Sequence, residues 1–301
     1  MSASVAPGRW MDPGPAPAPP APSERRAGLA DDVLARLPYA AAPPALPRGP
    51  QPAAGPGVLR IHVLGELRVE GAGGALGGAW LDQRPGELLR FLACARHRVV
   101  PAEAIAEAIW PHAGGDTAAT TVRHFVHALR DRLEPGRPRR GVSAYVVCRR
   151  GGYALHAERV WLDVDAFERD AAGGLAALAA GDVACATARL ESAVASYADD
   201  LLADEPYADW ALRERERVRA LACDALRALA ELRRDEPAAA AAHLDRLAEM
   251  EPFDDDVQRQ LISAWLRLGR KSRAARHYES FRIRLAREFG QRPAFELSNL
   301  P

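Results

Sequence analysis

The sequence predicts an α+β winged helix-turn-helix followed by an all-α tetratricopeptide-like helical domain, with a disordered Pro/Ala-rich tail in front of them. Three observations predict this order. Residues 1–57 contain 14 of the 24 prolines. Residues 58–158 mix strand and helix patterns and carry 14 basic and 10 acidic residues, whereas residues 159–301 have a helical period and carry 21 basic and 26 acidic residues. A basic domain joined to an acidic one is typical of a protein that binds DNA with one part and acts through the other.

The composition excludes several classes of protein. A chain of 301 residues with 48% hydrophobic residues can bury one or two cores. No apolar run approaches the roughly 18 residues of a membrane span, and no signal peptide is evident at the N-terminus, so we expect a cytoplasmic protein. The four cysteines form no CxxC pair, which argues against a disulfide scaffold or a zinc ribbon. Lys271 is the only lysine and no glycine-rich loop precedes it, which excludes a P-loop ATPase.

The tail over residues 1–57 cannot build a packed core, because proline and alanine dominate stretches such as PGPAPAPPAPS. Only the segment from Leu29 to Leu37 could form a helical turn or two. The tail is either a docking segment or a solvated extension, and its composition favours the solvated extension.

From Val58 the pattern changes to short strands and then helices. LRIHVLG and ELRVEG alternate apolar and polar residues, and GAGGAL and GAWL follow, which predicts an antiparallel sheet of three or four strands. Helices are predicted from Pro85 to Arg96 and from Pro101 to Trp110. Their buried faces are predicted to consist of Leu88, Leu89, Leu92, Ala93, Ile105, Ala108 and Ile109, with Phe91 partly buried.

The stretch from Thr117 to Tyr153 is predicted to form a helix, a basic loop, a short strand and a tight hairpin turn. Between Thr120 and Arg150 it contains eight arginines and two acids, a balance of +6 in a chain whose formal net charge is zero. Since each arginine that neutralises a phosphate releases counterions, a polyanion is the natural partner of this segment. A third helix, capped by Asp116 or Thr117, would bury Val122, Phe125, Val126, Leu129 and Leu133. The residues that we expect to bind DNA from its other face and from the hairpin tip are Thr120, Thr121, Arg123, His124, His127, Arg130, Arg149 and Arg150.

The second half of the chain shows helical period and internal repetition. Helices are predicted over 163–180, 182–197, 208–234, 236–250, 254–268 and 271–289. Gly181 is followed by Ala186, Asp235 by Ala240, and Gly269 by Ala274; the last two units lie 34 residues apart, which is the tetratricopeptide period. The small residues allow close helix packing in a solenoid. The aromatic residues predicted to pack between these helices are Tyr197, Tyr207, Trp210, Trp265 and Phe281.

Residues 58–157 resemble the response-regulator type of winged helix (the OmpR/PhoB subfamily). Within that type, HVLGELRV, RVVPAEAIAEAIW, TVRHFVHALRDRLEP and RRGGYAL resemble the Streptomyces antibiotic regulatory protein family, whose members commonly read VLG-L-V, RVVS-L-ALW, T-Q-HVSRLRR-L and RPPGYLL. The helical half resembles that family's bacterial transcriptional activation domain, and FGQRPAFEL resembles its closing LG-DPGPEL segment. The resemblance covers about residues 58–300.

The resemblance implies a transcriptional activator of an antibiotic or other specialised-metabolite cluster. Its partners would be double-stranded promoter DNA, carrying direct repeats about one helical turn apart, RNA polymerase, and a second copy on the DNA. Arg149 falls on the wing position that reaches toward the minor groove. The chain departs from the family at Phe125, at Ala128, and at Arg150-Gly151, where two prolines are usual, so which bases are read stays open.

Two other functions remain open: a repressor whose solenoid senses a small ligand, and a protein–protein adaptor that has lost DNA binding. No nucleophile elbow, metal-ligand set or phosphate loop predicts an enzyme, a metal or a cofactor. The pair His124 and His127 has a spacing that a metal could use, but a DNA-facing surface is the better interpretation. The loop arginines Arg137, Arg139 and Arg140 could meet either phosphate or polymerase.

Overall fold

The computed structural model describes residues 57–111, 118–138 and 141–300. The tail, with its expected helical turn from Leu29 to Leu37, lies outside the described residues apart from Gly57. The expected helix cap at Asp116 or Thr117 also lies outside them.

A four-stranded sheet opens the fold. Its strands are β1 (Leu59–His62), β2 (Arg68–Gly71), β3 (Gly74–Ala75) and β7 (Val160–Leu162), in the order β3-β2-β1-β7. β1 pairs antiparallel with β2 and parallel with β7. Its residues alternate between buried and half-buried, as expected of a strand with one face on a core.

The prediction that GAWL forms a strand of this sheet is wrong. GAWL is not a strand: Ala79–Asp82 forms a turn of 3-10 helix whose Trp80 is buried, with its indole N–H donating to the Gly77 carbonyl at 3.2 Å. The fourth strand is β7 instead, which comes from the segment that we expected to begin the helical domain. β7 pairs in parallel with a strand about 100 residues earlier, and such a long-range pairing leaves no local signal.

Three helices and a hairpin complete the winged helix-turn-helix. α1 (Arg84–Cys94), α2 (Ala102–Ile109) and α3 (Ala118–Leu133) lie where the sequence predicted helices. A second sheet has the order β4-β6-β5, formed by β4 (Val100–Pro101), β6 (Gly152–Leu155) and β5 (Val146–Arg149).

One residue of the predicted core is exposed. Ala108 faces solvent, and Ala102 and Ala106 are buried with Ile105 and Ile109 instead. With about 3.6 residues per turn, residues 102, 105, 106 and 109 fall within roughly 100° of arc around the helix, and Ala108 lies outside that arc.

The second half of the chain is a series of six helices in the described residues. They are α4 (Asp163–Ala179), α5 (Val183–Ser196), α6 (Leu212–Leu232), α7 (Pro237–Met250), α8 (Asp255–Arg267) and α9 (Lys271–Phe289). Each packs on the next, and the small residues expected at the contacts, Ala186, Ala240 and Ala274, are buried. The described helices include none that is both long and apolar enough to span a bilayer.

The prediction that aromatic residues pack between the helices is only partly confirmed. Tyr197, Trp265 and Phe281 are buried, but Tyr207 is 93% exposed. The predicted helix from residue 208 in fact begins at Leu212, so Tyr207 lies in the preceding loop and has no helix against which to pack.

The winged helix and the first helices of the solenoid share one hydrophobic core. A single cluster of buried side chains includes Ile61 of β1, Phe167 of α4 and Val218 of α6. The buried Asp163 carboxylate accepts hydrogen bonds from the backbone N–H groups of Val63 at 2.9 Å and Leu64 at 3.1 Å. The winged helix therefore depends for part of its core on the first helices of the second half.

Candidate nucleic-acid interface

The core determines which way the third helix of the winged domain faces. Along α3, Val122, Val126, Leu129 and Leu133 are buried in the shared core together with residues of α1 and α2. Because these residues are spaced three and four apart, they lie on one face and hold the helix in a fixed rotation. The opposite face is turned to solvent.

That outer face carries most of the residues predicted to bind DNA. Thr120, Arg123, His124 and His127 are exposed and Thr121 is half-buried. Within the described part of the chain, the side chains of Thr120 and Arg123 make no hydrogen bond or ion pair, so their donors are available to a ligand. The His127 imidazole Nδ1 lies 3.0 Å from a carboxylate oxygen of Asp131, one turn further along the helix.

Two departures from the family pattern lie away from this face. Phe125 is half-buried, and its ring lies 4.9 Å from that of Trp110, which is itself held by a hydrogen bond of 2.9 Å from its indole N–H to Glu87. Ala128 is half-buried as well. Phe125 thus packs α3 against the end of α2. It is not part of the exposed face of α3, so this departure leaves the predicted DNA-binding residues in place.

The wing is a hairpin with a two-residue turn. Arg149 pairs with Gly152, and between them Arg150 and Gly151 have φ values of 50° and 77°. Two successive positive φ values are typical of a type I′ hairpin turn. Proline is locked near a φ of −65°, so the two prolines usual in the family could not adopt this turn. The turn leaves Arg149 and Arg150 exposed at the tip.

Glycine is required next to this turn for a second reason. A Cβ atom on Gly152 would lie 2.5 Å from the carbonyl oxygen of Val100, because β6 passes close to β4 at that point. The wing is consequently attached to the body of the domain by a strand pairing that only glycine permits.

Arg130 lies in a different setting from the other predicted site residues. It is half-buried, and its Nε and Nη2 groups donate to the Val146 carbonyl at 3.2 and 2.9 Å. Arg137, which we expected to meet phosphate or polymerase, has only 7% of its side chain exposed and donates to Asp131 at 2.9 Å and to the Gly141 carbonyl at 2.8 Å. Arg139 and Arg140 lie outside the described residues.

The exposed surface is cationic. Arg123, Arg132, Arg149 and Arg150 are exposed, and Asp131 is the exposed acid among them. Sequence reasoning did not select Arg132, although it is on the same helix. Across the described ranges, no three His, Cys, Asp or Glu side chains are grouped so as to hold a metal ion. A cationic surface with free threonine, arginine and histidine donors can bind phosphates and base edges.

Two protein-family models match successive parts of the chain. Residues 79–155 match the family model described as transcriptional regulatory protein, C terminal. Residues 162–301 match the model described as bacterial transcriptional activator domain.

Related proteins match across both parts. The chain is 27% identical over 248 residues to the regulatory protein DnrI of Streptomyces peucetius, covering 80% of this chain and 90% of DnrI. It is 29% identical over 250 residues to the regulatory protein AfsR of Streptomyces griseus, covering 80% of this chain and 24% of AfsR. The structure of Mycobacterium tuberculosis EmbR in complex with a low-affinity phosphopeptide has the same fold, with a TM-score of 0.55 at 24% identity, covering 80% of this chain and 63% of that one.

A winged helix-turn-helix joined to a bacterial transcriptional activator domain defines a DNA-binding regulator of transcription. The two matched models and the similarity to DnrI support a transcriptional regulator of the Streptomyces antibiotic regulatory protein family, as the motifs of α3 and the hairpin had indicated. α3 is accordingly the recognition helix, and the β5–β6 hairpin is the wing.

Proposed function

We propose that this regulator is a sequence-specific activator that binds promoter repeats and engages RNA polymerase, and that its target is a specialised-metabolite (antibiotic) biosynthesis cluster. The observation that carries the proposal is the common exposure of Thr120, Arg123 and His124 on α3 and of Arg149 and Arg150 on the wing. A recognition helix of this kind enters the major groove, and the wing contacts the backbone or the minor groove alongside it.

The charges favour a division of labour between the two halves. The exposed arginines are concentrated on the winged helix, while residues 159–301 carry five more acids than bases (26 against 21). An acidic surface is repelled by DNA, so it is better suited to protein contacts. In this proposal the helical half contacts a second copy of the protein and RNA polymerase, in the cytoplasm.

The proposed test is transcription in vitro from the promoter nearest the encoding gene, with RNA polymerase purified from the same source. The full chain is used, since the winged helix shares its core with α4 and α6. We expect the wild type to shift the promoter fragment and to raise the transcript. The double variant Arg123→Ala, Arg149→Ala should do neither. Arg213→Ala, which removes an exposed arginine of α6, is the matched control for the shift.

Each other result selects a different function. A transcript that falls when the protein binds would replace the activator with a repressor. A promoter fragment that neither the wild type nor Arg213→Ala shifts would favour the adaptor.

Binding to repeats has its own test. Two copies on direct repeats separated by about one helical turn lie on the same side of the DNA. Inserting roughly half a turn, about 5 base pairs, between the repeats should therefore abolish cooperative binding, and inserting a full turn should restore part of it. If binding were equally cooperative at every spacing, the two bound copies would not contact each other, and that part of the proposal would be wrong.

A further inference from the structure

At the outer edge of the wing, a buried backbone carbonyl has no strand to pair with among the described residues. In the sheet order β4-β6-β5, β5 is an edge strand, so one side of it has no neighbouring strand within the described ranges. The Tyr145 carbonyl points toward β6, where it accepts from His156 N–H at 2.8 Å. Successive carbonyls of a strand point in opposite directions, so that of Val146 points outward. Val146 is fully buried, and a buried carbonyl without a partner is destabilising.

Arg130 of the recognition helix supplies that partner. Its Nε and Nη2 groups both donate to the Val146 carbonyl, at 3.2 and 2.9 Å, and its guanidinium lies 6.0 Å from the centre of the Tyr153 ring on β6. The side chain thus spans from α3 to both strands of the wing.

Two more side chains, just past the C-terminal end of α3, bind the segment that leads to the wing. Glu134 accepts hydrogen bonds from the Ser143 hydroxyl and from Ala144 N–H, the latter at 2.8 Å. Arg137 donates to the Gly141 carbonyl at 2.8 Å. Glu134 and Arg137 lie in the turn that follows Leu133, the last residue of α3, so side-chain contacts continue from the end of the helix along the segment before β5.

We propose that Arg130 is a positioning residue that sets the wing relative to the recognition helix, and that it does not itself bind DNA. The inference rests on the proposed DNA-binding function. Arg130 is half-buried with two of its donor groups committed to Val146, whereas Arg123 and Arg132 on the same helix are exposed. Losing Arg130 would release the edge of β5 and let the arginines at the wing tip move away from the DNA backbone.

A double-mutant cycle separates positioning from direct contact. The variants are Arg130→Met, a wing variant that combines Arg149→Ala with Arg150→Ala, and all three changes together. We expect Arg130→Met alone to weaken binding to the operator roughly tenfold, the size of one lost contact. In the wing variant, Arg130→Met should lower the operator affinity hardly at all, because the wing arginines whose position it would change are already absent. Losses that multiply, as for independent contacts, would overturn the proposal.

Hydrogen exchange of the free protein provides a readout that does not depend on DNA. Arg130→Met should speed amide exchange in the peptide covering 145–155 and leave the peptide covering 59–71 unchanged. The matched control is Arg132→Met, which removes the same charge from an exposed position on the same helix and should change neither peptide. Unaltered exchange in Arg130→Met, or the same acceleration in Arg132→Met, would overturn the proposal.

The conservative variant distinguishes geometry from charge. Lysine keeps the positive charge at residue 130 but can give the Val146 carbonyl only a single-point donor, so Arg130→Lys should be intermediate both in exchange and in affinity. If Arg130→Lys bound the operator with wild-type affinity while its hairpin exchanged as fast as in Arg130→Met, the charge of residue 130 and not its geometry would determine binding, which would overturn the proposal. If the wild type binds no promoter DNA, the proposed function fails, and hydrogen exchange then decides the positioning role.

Discussion

The guanidinium of Arg96 lies 2.7 Å from the carboxylate of Glu214, so a residue of the winged helix pairs with the first turn of α6. The same guanidinium donates to Asp165 and to Glu168 of α4, both at 2.6 Å. Arg96 follows α1 with a φ of 62°, a left-handed conformation that a non-glycine residue adopts at some energetic cost. Three carboxylates from two helices of the solenoid thereby converge on one arginine at the junction.

Replacing Arg96 by alanine should destabilise the whole protein. Three acids would remain close together at a largely buried site. Arg217 would still pair with Glu168 and Glu214, and His97 Nε2 lies 3.1 Å from Asp165, but the central cation would be gone. Breaking a buried pair in this way costs about 3–5 kcal/mol. Urea denaturation of the full chain gives the change. The control is Arg282→Ala, which removes an exposed arginine that pairs with Glu279 on the same helix and should leave the unfolding midpoint unchanged. Similar midpoints for both variants would mean that the junction cluster contributes little.

The same cluster gives the protein an acid-sensitive component. Burial would raise the pKa of Glu214, but the hydrogen bond from Arg217 and the charge of Arg96 outweigh burial and hold that pKa at about 2. A pKa below the unfolded value contributes stability that is complete above pH 4.5 and is lost as the pH falls toward 2. The free energy of unfolding of Glu214→Gln should therefore depend less steeply on pH than that of the wild type between pH 4.5 and 2. Parallel curves for the variant and the wild type would exclude this role.

Asp224 of α6 should show the opposite dependence. It is 3% exposed, one carboxylate oxygen lacks a hydrogen-bond partner within the described residues, and burial raises its pKa to about 6. A raised pKa favours the folded state fully below pH 3.8, and this contribution is lost as the pH rises through 6. Asp224→Asn removes the charge at neutral pH. We expect it to stabilise the protein by about 1 kcal/mol at pH 7.5, less than full linkage implies because Arg227 and solvent screen the carboxylate.

The matching experiment compares melting temperatures of the wild type and Asp224→Asn from pH 4 to pH 8. The advantage of the variant should be present at pH 7.5 and vanish near pH 4, where the wild-type carboxyl is protonated. A constant difference across the range would assign the effect to packing.

The sequence predicted the features that depend on neighbouring residues. The predicted start of α9 at residue 271 and its end at 289 agree with Lys271–Phe289, because the helical period and the flanking glycines Gly269 and Gly290 are local signals. The helix predicted over 254–268 is found as α8, Asp255–Arg267, and Asp254 caps it by accepting hydrogen bonds from Asp256 N–H and Val257 N–H. The family resemblance likewise came from contiguous motifs.

Features that depend on distant residues were missed. β7 is a strand only because β1 offers it an edge, and the core that joins the two halves is assembled from residues far apart in sequence. Arg130 and Arg123 are the same residue type on one helix. Only the position of Val146, which is brought in by the hairpin, makes one of them half-buried and leaves the other exposed.

The winged helix should not fold well as a fragment of residues 57–158. That fragment lacks β7, and it lacks Asp163, whose carboxylate accepts from Val63 and Leu64. It would also expose the apolar face that Phe167 covers. We expect circular dichroism to show no cooperative melting for it. A fragment of residues 57–235, which keeps β7 and α4 to α6, should melt cooperatively. A sharp transition for residues 57–158 alone would mean that the shared core is dispensable.

The proposed DNA-reading residues should divide into two groups by their effect on specificity. Arg149 at the wing tip mainly reaches backbone, so Arg149→Ala should weaken binding to operator and to unrelated DNA by similar factors and reduce the slope of affinity against salt by about one. Arg123 and His124 face outward from α3. Replacing either should also lower the ratio of the affinity for operator DNA to the affinity for unrelated DNA. The loss of one base contact corresponds to about 1–3 kcal/mol of binding preference. Fluorescence anisotropy over a salt series measures both quantities. If Arg123→Ala and Arg149→Ala changed the ratio equally, the recognition helix and the wing would have no separate roles in choosing the site.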